Sequence, residues 1–379
     1  MNKNIGVQKP YLGKEELIAI SGVLKSCWLG MGKEVKKFEE EAKKYLGAKY
    51  FIAVNTGTSA LHLALEAIGI KEGDEIIVPS LTFVGSIHPI LYCGAVPVFC
   101  EVNYDTLNID VKDVERKITK KTKAVIPVHY SGQSADMDTL LSLGKKYGIK
   151  IIEDAAHAFG SIYKGKKIGS FGDITCFSFD PIKNITCGEG GGIATGNRKW
   201  AEKILLQRLM GIDKETLVRY KNKRSWHYSV KSIGFRYHMG NINAAIGLVQ
   251  LKRVDRIIDG KMKIVKKYDD ALKKIKQLEM VKKDYNNLAP FNYILKVKTK
   301  REGLINFLKE KGIDTGIHYI PNHIQPFFKR FNVGACHGMP LRLPITEKLY
   351  KEILTLPLYY GMTDKDVNKV INEVTKFYA

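Results

Sequence analysis

The chain has 379 residues, of which 45% are hydrophobic and 26% are charged, a composition typical of a globular protein with a large core. A net charge of +22, from 61 Lys and Arg against 39 Asp and Glu, would suit a nucleic acid, an anionic membrane surface or an anionic small substrate. The lysines are spread along predicted helices, as in 261–276, and no nucleic-acid-binding motif accompanies them. We therefore expect no nucleic-acid partner, and a phosphorylated substrate accounts for part of the charge.

The sequence gives no indication of export or of membrane insertion. Its first residues, Met1 to Asn4, contain no apolar segment of the signal-peptide type. The longest apolar run, Phe83 to Cys100, is short and interrupted by prolines, so we interpret it as a buried helix followed by a buried strand. Six cysteines show neither C-x-x-C nor zinc-binding spacing, which favours reduced thiols in a cytoplasmic protein without a metal.

The N-terminal two thirds predict alternating helices and strands. Helices are expected near Glu15–Ser26 and Glu34–Leu46, the second ending at Gly47. Further helical periods cover Ser59–Ile68, Val84–Tyr92, Val111–Ile118 and Asp136–Tyr147. Strands are expected at Tyr50–Val54, Glu75–Val78, Val96–Phe99, Ala124–Val128, Lys150–Glu153, Ile174–Ser178 and Gly192–Thr195. Alternation of this kind predicts an α/β fold, with a mostly parallel seven-stranded sheet flanked by helices.

The rest of the chain predicts a second, smaller α/β unit. After a polar, irregular tract at Asp213–Ser232, a long helical region begins near Asn241 and runs towards Ile275. It is followed by predicted strands at Tyr293–Val297 and Thr315–Tyr319 and by predicted helices at Arg301–Lys311 and Asp364–Phe377. We place the domain boundary near residue 250, which gives a large domain at 1–250 and a small C-terminal domain at 251–379.

One lysine lies in an unusual position, between an apolar segment and a run of glycines. Lys183 follows Phe177-Ser178-Phe179 and precedes Gly188-Glu189-Gly190-Gly191. A buried amine loses its proton more easily than one in water, and the neutral amine is a nucleophile towards aldehydes. A solvated loop lysine beside a turn is the alternative interpretation of this stretch alone.

Three further features follow predicted strands of the same sheet. The segment Asn55-Thr56-Gly57-Thr58-Ser59 opens a helix, where backbone N–H groups can hold a phosphate, although such residues also cap helices without a ligand. Phe83 could stack on a flat ring or simply belong to the core. Asp154 could pair with a protonated ring nitrogen or cap a helix. A phosphate cradle, an aromatic plate, a carboxylate and an amine together are what pyridoxal 5'-phosphate requires.

In the order of these motifs the sequence resembles the nucleotide-sugar aminotransferases of the DegT type, which are fold-type I pyridoxal-phosphate enzymes. The resemblance extends over almost the whole chain. Its motifs are Trp28-Leu29-Gly30, Asn55-Thr56-Gly57-Thr58-Ser59-Ala60-Leu61, Pro79-Ser80-Leu81-Thr82-Phe83, Glu153-Asp154-Ala155-Ala156-His157, Ser178-Phe179 with Lys183-Asn184, Gly188-Glu189-Gly190-Gly191, Ala244-Ala245-Ile246-Gly247 with Gln250-Leu251, Tyr319-Ile320-Pro321-Asn322-His323 and Leu356-Pro357-Leu358.

The resemblance implies a role for each matching residue. Lys183 would form the covalent link to the cofactor and carry the proton, and Asp154 would hold the proton of the ring nitrogen. The other implied cofactor contacts are Phe83 on the ring face, His157 near the ring hydroxyl, and Gly57, Thr58 and Ser178 on the phosphate. Segments containing Trp28, Tyr319 and His323 would border the site of the sugar nucleotide.

One segment departs from the family pattern. Members of the family carry an Asn that reaches the partner subunit's cofactor phosphate, whereas here the stretch reads Gly234-Phe235-Arg236-Tyr237-His238. Arg236 takes the place of that Asn, and a guanidinium group can also bind a phosphate. We expect Arg236 to do so across a homodimer with active sites at its interface; the alternatives are that it faces solvent or a substrate diphosphate.

The resemblance further implies amino transfer from glutamate to a nucleotide-linked keto-sugar, with the pyridoxamine phosphate form as the intermediate carrier. The Glu of Gly188-Glu189-Gly190-Gly191 favours amination at C4 of a keto-6-deoxy sugar over C3, in a pathway such as lipopolysaccharide or O-antigen biosynthesis. Sugar dehydratases on the same fold have a histidine where Lys183 stands. A non-catalytic regulatory or binding protein would not need the lysine.

Overall fold

The structure, a computed structural model, describes residues 4–213, 228–331 and 341–379, so most of the predicted irregular tract at 213–232 lies outside the described residues. The helices are α1 Lys14–Lys25, α2 Lys33–Leu46, α3 Gly57–Ile68, α4 His88–Tyr92, α5 Val111–Lys117, α6 Met137–Tyr147, α7 Arg198–Gln207, α8 Asn241–Leu251, α9 Val254–Leu272, α10 Arg301–Glu310, α11 Pro344–Glu352 and α12 Asp364–Tyr378. The strands are β1 Tyr50–Val54, β2 Glu75–Pro79, β3 Val96–Cys100, β4 Thr122–Val125, β5 Lys150–Asp154, β6 Ile162–Tyr163, β7 Lys166–Lys167, β8 Ile174–Ser178, β9 Gly191–Thr195, β10 Leu278–Met280, β11 Tyr293–Val297 and β12 Ile353–Leu356.

The central sheet has seven strands in the order β1-β9-β8-β5-β4-β2-β3. Strand β9 pairs antiparallel with β1 and with β8, whereas the remaining pairs are parallel. Six of the seven strands therefore run in one direction, and the prediction of a mostly parallel seven-stranded sheet is confirmed.

Helices cover both faces of this sheet because its strands are apolar on both sides. Ile76 and Val78 of β2 pack in one core cluster with residues of α3, α4 and α7. Ile77, between them, packs on the opposite face with residues of α5 and α6. Strand β1 alternates in the same way, with Ile52 on the α3 face and Phe51 facing α2. Burial on both faces is the usual reason for near-continuous apolar strands in parallel sheets.

A second sheet contains β10, β11 and β12, paired antiparallel in that order. The strand predicted at Thr315–Tyr319 is wrong, since this segment makes only an isolated bridge between Gly316 and Thr355. The third strand is instead Ile353–Leu356, which begins directly where α11 ends and has no turn signal before it. The domain boundary near residue 250 stays a prediction.

Two predicted helical stretches are broken in the structure. The region from Asn241 divides into α8 and α9 at Lys252 and Arg253. The predicted helix at Val84–Tyr92 is a 3-10 turn followed by the short α4, with Pro89 in its first turn. Proline lacks the N–H that a continuous helix would use at that position.

The direction of the strands decides where polar groups collect. Strands β1, β2, β5 and β8 run the same way, so their carboxyl ends meet at one edge of the sheet. Ligands of open α/β sheets bind at this edge. Within the described ranges, no helix combines the length and the apolar content that crossing a membrane would need.

Candidate active site

The N-terminus of α3 opens into the site. Thr56 caps this helix, and its Oγ1 accepts a hydrogen bond from the Ser59 N–H at 3.0 Å. The first N–H groups of a helix have no partner within the helix and attract anions. Gly57 touches the end of β8 so closely that a Cβ added to it would lie 2.8 Å from the Ser178 Cβ. This contact joins the helix N-terminus and the Ser178 hydroxyl into one cradle.

Asp154, at the end of β5, is buried and held at both carboxylate oxygens. Its Oδ2 accepts a hydrogen bond from the Ser86 hydroxyl at 2.6 Å, and its Oδ1 accepts one from the Ala156 N–H at 3.1 Å. The Thr82 hydroxyl lies 2.8 Å from Ser86 Oγ, and it must be the donor because Ser86 gives its proton to Asp154. A chain of buried hydroxyls thus fixes the orientation of this carboxylate.

Lys183 lies in the loop after β8, with its amine at the site. Its backbone N–H donates to Asp180 O at 3.1 Å, and its Nζ lies 4.4 Å from the centre of the Phe291 ring. Burial lowers the pKa of the Lys183 amine, although the charges of Asp180 and Asp154 oppose the shift. The amine therefore has a larger neutral fraction than an exposed lysine, as a nucleophile requires.

A row of aromatic rings lines the other side of the site. The His157 ring stacks on Phe291 at 4.1 Å between centroids, and its Nε2 lies 3.1 Å from the Tyr319 hydroxyl. Burial, together with the charges of Lys183, His318 and Lys261, holds the pKa of His157 well below its usual value. His157 is accordingly neutral at physiological pH. Its Nδ1 is buried and has no hydrogen-bond partner among the described residues.

These groups enclose one cavity of about 390 Å³. The predicted residues that line it are Gly57, Thr58, Phe83, Asp154, His157, Ser178, Lys183 and Tyr319. The residues present fit pyridoxal 5'-phosphate, because the lining of the cavity combines an anion cradle, a fixed carboxylate and an amine. The unpartnered Nδ1 of His157 adds a polar atom that a ligand could satisfy.

Three predicted residues do not line this cavity. The His323 ring is buried between Ser80 Oγ, at 2.7 Å, and Glu347 Oε1, at 3.5 Å. With these contacts His323 is buried outside the lining of the cavity, and its contact with a substrate stays a prediction. The indole Nε1 of Trp28 donates to Met31 O at 3.1 Å, and Trp28 is not among the residues that line the cavity.

Arg236 is exposed, yet its segment runs beside the end of β1. His238 forms an isolated antiparallel bridge with Val54, and Tyr237 O accepts a hydrogen bond from the Asn55 N–H at 2.7 Å. Arg236 therefore lies in a segment whose backbone is hydrogen-bonded next to the α3 cradle. Whether Arg236 serves a partner subunit stays a prediction.

The sequence interpretation missed several residues of the site. Ser86 and Thr82 lie in the segment after β2, where Phe83 alone was considered. Two hydroxyl side chains four residues apart are too common in protein sequences to predict that they bind a carboxylate. Phe291 and His318 come from the C-terminal part of the chain, and no motif marks Phe291. His318 lines the cavity, and burial followed by the charge of Lys183 lowers its pKa to about 4.

Comparison with known proteins agrees with this geometry. The family model described as the DegT/DnrJ/EryC1/StrS aminotransferase family matches residues 10–375. The spore coat polysaccharide biosynthesis protein SpsC of Bacillus subtilis is 41% identical over 373 residues, which cover 96% of this chain and 95% of SpsC.

Solved structures extend the comparison to the fold. Spr1654 of Streptococcus pneumoniae, in its PMP form, has a TM-score of 0.91 at 28% identity and covers 98% of each chain; it has also been solved in a PLP form. PseC of Helicobacter pylori, an aminotransferase involved in the biosynthesis of pseudoaminic acid, has a TM-score of 0.90 at 29% identity and covers 99% of each chain. The chain therefore belongs to the DegT/DnrJ/EryC1/StrS aminotransferase family and is a pyridoxal-phosphate-dependent aminotransferase with the fold-type I architecture.

Proposed function

We propose that the protein transfers an amino group from glutamate to a keto-6-deoxy nucleotide-sugar, at C4 in preference to C3, in the biosynthesis of a surface polysaccharide or glycan. The proposal is supported by the names of two relatives, one in spore coat polysaccharide biosynthesis and one in pseudoaminic acid biosynthesis. The preference for C4 rests on Glu189, which lines the cavity within the loop after Lys183. The buried free thiols of Cys100, Cys176 and Cys187 fit a cytoplasmic setting.

The observation that carries the proposal is that the Lys183 amine and the fixed carboxylate of Asp154 face the same cavity. When bound, pyridoxal phosphate supplies an aldehyde that accepts the amino group and a ring that accepts electrons from the reacting carbon. Lys183 Nζ, partly neutral because it is buried, acts as the nucleophile and moves the proton of the reacting carbon. Asp154, whose oxygens are fixed by Ser86 and Ala156, would keep the ring nitrogen protonated.

The remaining cavity residues bind and orient. Gly57 and Thr58, at the N-terminus of α3, and the Ser178 hydroxyl would hold the phosphate. Phe83, exposed to 57% in the described chain, would pack on a ring face. His157 and Tyr319, whose Nε2 and hydroxyl lie 3.1 Å apart, would lie beside the ring, and Tyr319 would border the sugar. Trp28 and His323 do not line the cavity of the single chain. Any contact that they make with the sugar nucleotide would therefore require a second subunit.

The test is a comparison of Lys183→Ala with the natural protein. Each is incubated with glutamate and a panel of dTDP-, GDP- and UDP-linked keto-sugars, and the products are identified by mass spectrometry. We expect an amino sugar from the natural protein only. In addition, borohydride reduction should attach the cofactor to Lys183. Attachment to another residue, or amination by Lys183→Ala at the natural rate, would contradict the proposal. A product aminated at C3 would overturn the preference for C4 alone.

A further inference from the structure

A second buried lysine lies close to Lys183. Lys261, on α9, is 4% exposed, and none of the ion pairs among the described residues includes it. Its Nζ donates to Asn184 Oδ1 at 2.9 Å and to the backbone oxygen of Phe291 at 3.0 Å. Burying an ammonium group without a carboxylate partner lowers the stability of the folded state. The presence of such a group therefore requires an explanation.

Both acceptors of Lys261 belong to the surroundings of the reacting amine. Asn184 directly follows Lys183, and its Nδ2 donates to Ala289 O at 3.2 Å. The centre of the Phe291 ring lies 4.4 Å from the Nζ of Lys183, and the same ring stacks on His157. Through these two contacts Lys261 fixes the loop that carries Lys183 and the ring against which its amine packs.

The two lysines are also electrostatically coupled. The Nζ of Lys261 lies 5.7 Å from the centre of the same Phe291 ring, and both lysines line one small cavity of about 20 Å³. Burial, followed by the charge of Lys183, lowers the pKa of Lys261 to about 7. Two amines so placed titrate as a pair, because a charge on one disfavours a charge on the other.

Other titratable groups face the pair from each neighbouring element. On the side of the large cavity these are Asp154, His157, Asp180, Glu189, His318 and Tyr319. On the side of the small cavity they are Lys9, Tyr11, Tyr359 and Tyr360. Asp154 and Asp180 favour the charged form of the Lys183 amine, whereas the charge of Lys183 disfavours a charge on Lys261.

We propose that Lys261 is a positioning residue for the reaction at Lys183: it holds Asn184 and Phe291 against the reacting lysine and places a second positive charge beside it. This charge disfavours protonation of the Lys183 nitrogen. It therefore favours the neutral form, which acts as nucleophile and base. The inference rests on the proposed role of Lys183. It assigns to Lys261 an effect through Lys183, with no contact to the substrate.

The experiment titrates the absorbance of bound pyridoxal phosphate against pH, which reports the protonation of the nitrogen that links Lys183 to the cofactor. Lys261→Met and Lys261→Gln both remove the charge, and the Gln variant retains one hydrogen-bond donor. We expect both to raise the pH midpoint by about one unit, because a neighbouring like charge has been removed. Lys261→Arg keeps a positive charge throughout the titration and should not raise the midpoint. Lys263→Met, exposed on the same helix, is the matched control.

A purely structural role for Lys261 would lower the free energy of unfolding of the Met and Gln variants and leave the midpoint in place; that result would overturn the inference. Should the Met variant not fold, the Gln and Arg variants still separate charge from packing. Borohydride trapping in the natural protein tests the role of Lys183 separately from the role of Lys261. If the cofactor is not attached to Lys183, the proposed function fails; if it is attached but the midpoint does not move, only the role of Lys261 fails.

Discussion

At the scale of single residues, the site depends on how each reacting group is held. Asp154 is fixed by Ser86, and Ser86 receives a hydrogen bond from Thr82, so the orientation of one carboxylate rests on two neutral hydroxyls. Lys183 owes its lowered pKa to burial, and His157 is kept neutral by the same cause. Burial therefore supplies both the nucleophile and the uncharged imidazole without any special chemistry in the residues themselves.

Replacing Ser86 with Ala removes one hydrogen bond to a charged oxygen and leaves the Ala156 N–H in place. Such a bond is worth about 1.5–3 kcal/mol, so we expect kcat/KM to fall roughly 10- to 100-fold. The measurement is steady-state amination of the keto-sugar that the panel identifies. Ser142→Ala, at an exposed position of α6, serves as the control. An unchanged kcat/KM in Ser86→Ala would show that the hydroxyl does not orient Asp154 for the reaction.

At the scale of elements, the site depends on close contact between α3 and β8. Gly57 is required there for space: its backbone φ is not in the left-handed region, but a Cβ would meet Ser178 at 2.8 Å for Cβ and 3.3 Å for Cα. Close backbone approach lets the helix N-terminus and the hydroxyl of Ser178 face the same point. The parallel direction of β1 and β8, on either side of β9, brings the two segments together.

We expect Gly57→Ala to weaken cofactor binding, because the helix N-terminus must move away from Ser178 to admit the methyl group. The predicted loss of affinity is about tenfold or more, equivalent to about 1.4 kcal/mol. It is measured by absorbance titration of the cofactor-free protein with pyridoxal phosphate. Gly196→Ala is the control, because a Cβ at Gly196 meets no atom within 4 Å. Equal affinity of both variants would count against a phosphate cradle at α3.

At the scale of the whole molecule, an apolar helix face remains uncovered in the single chain. On α1, Leu17 is 68% exposed, Ile18 71% and Leu24 53%. Exposed apolar residues grouped on one helix are typical of a protein interface. This face and the exposed Arg236 support the proposed homodimer with active sites at the interface.

Replacing Ile18 with Glu should shift the protein from dimer to monomer in sedimentation velocity experiments, because a carboxylate in an apolar interface loses its hydration. A variant that sediments like the natural protein would argue against an interface at α1. Ile18 does not line the Lys183 cavity, so a loss of activity in this variant would follow from the loss of the dimer.

The role of Arg236 across the dimer has a separate test. Arg236→Ala and Lys183→Ala, each expected to be inactive on its own, are mixed under conditions that exchange subunits. If Arg236 serves the partner's phosphate, mixed dimers regain activity, because one of their two sites combines an intact Lys183 with an intact Arg236. No recovery on mixing would place Arg236 in its own subunit's site. Full cofactor affinity in Arg236→Ala would exclude the phosphate role altogether.

The sequence alone determined those features of the protein that depend on residues close to one another in the chain. Apolar strands alternating with helices predicted the sheet, and the groups that follow those strands, Gly57, Asp154 and Lys183, are brought together by strand direction alone. Only the tertiary structure decided which residues hold them, because those contacts join distant segments: Lys261 lies 77 residues from Asn184, and Ser86 lies 68 from Asp154. It likewise placed the third strand of the smaller sheet at Ile353–Leu356, a choice made by pairing with β11. The placement of reactive groups at the ends of strands can be predicted from the periodicity of the sequence. Burial and long-range hydrogen bonds arise only once the chain has folded.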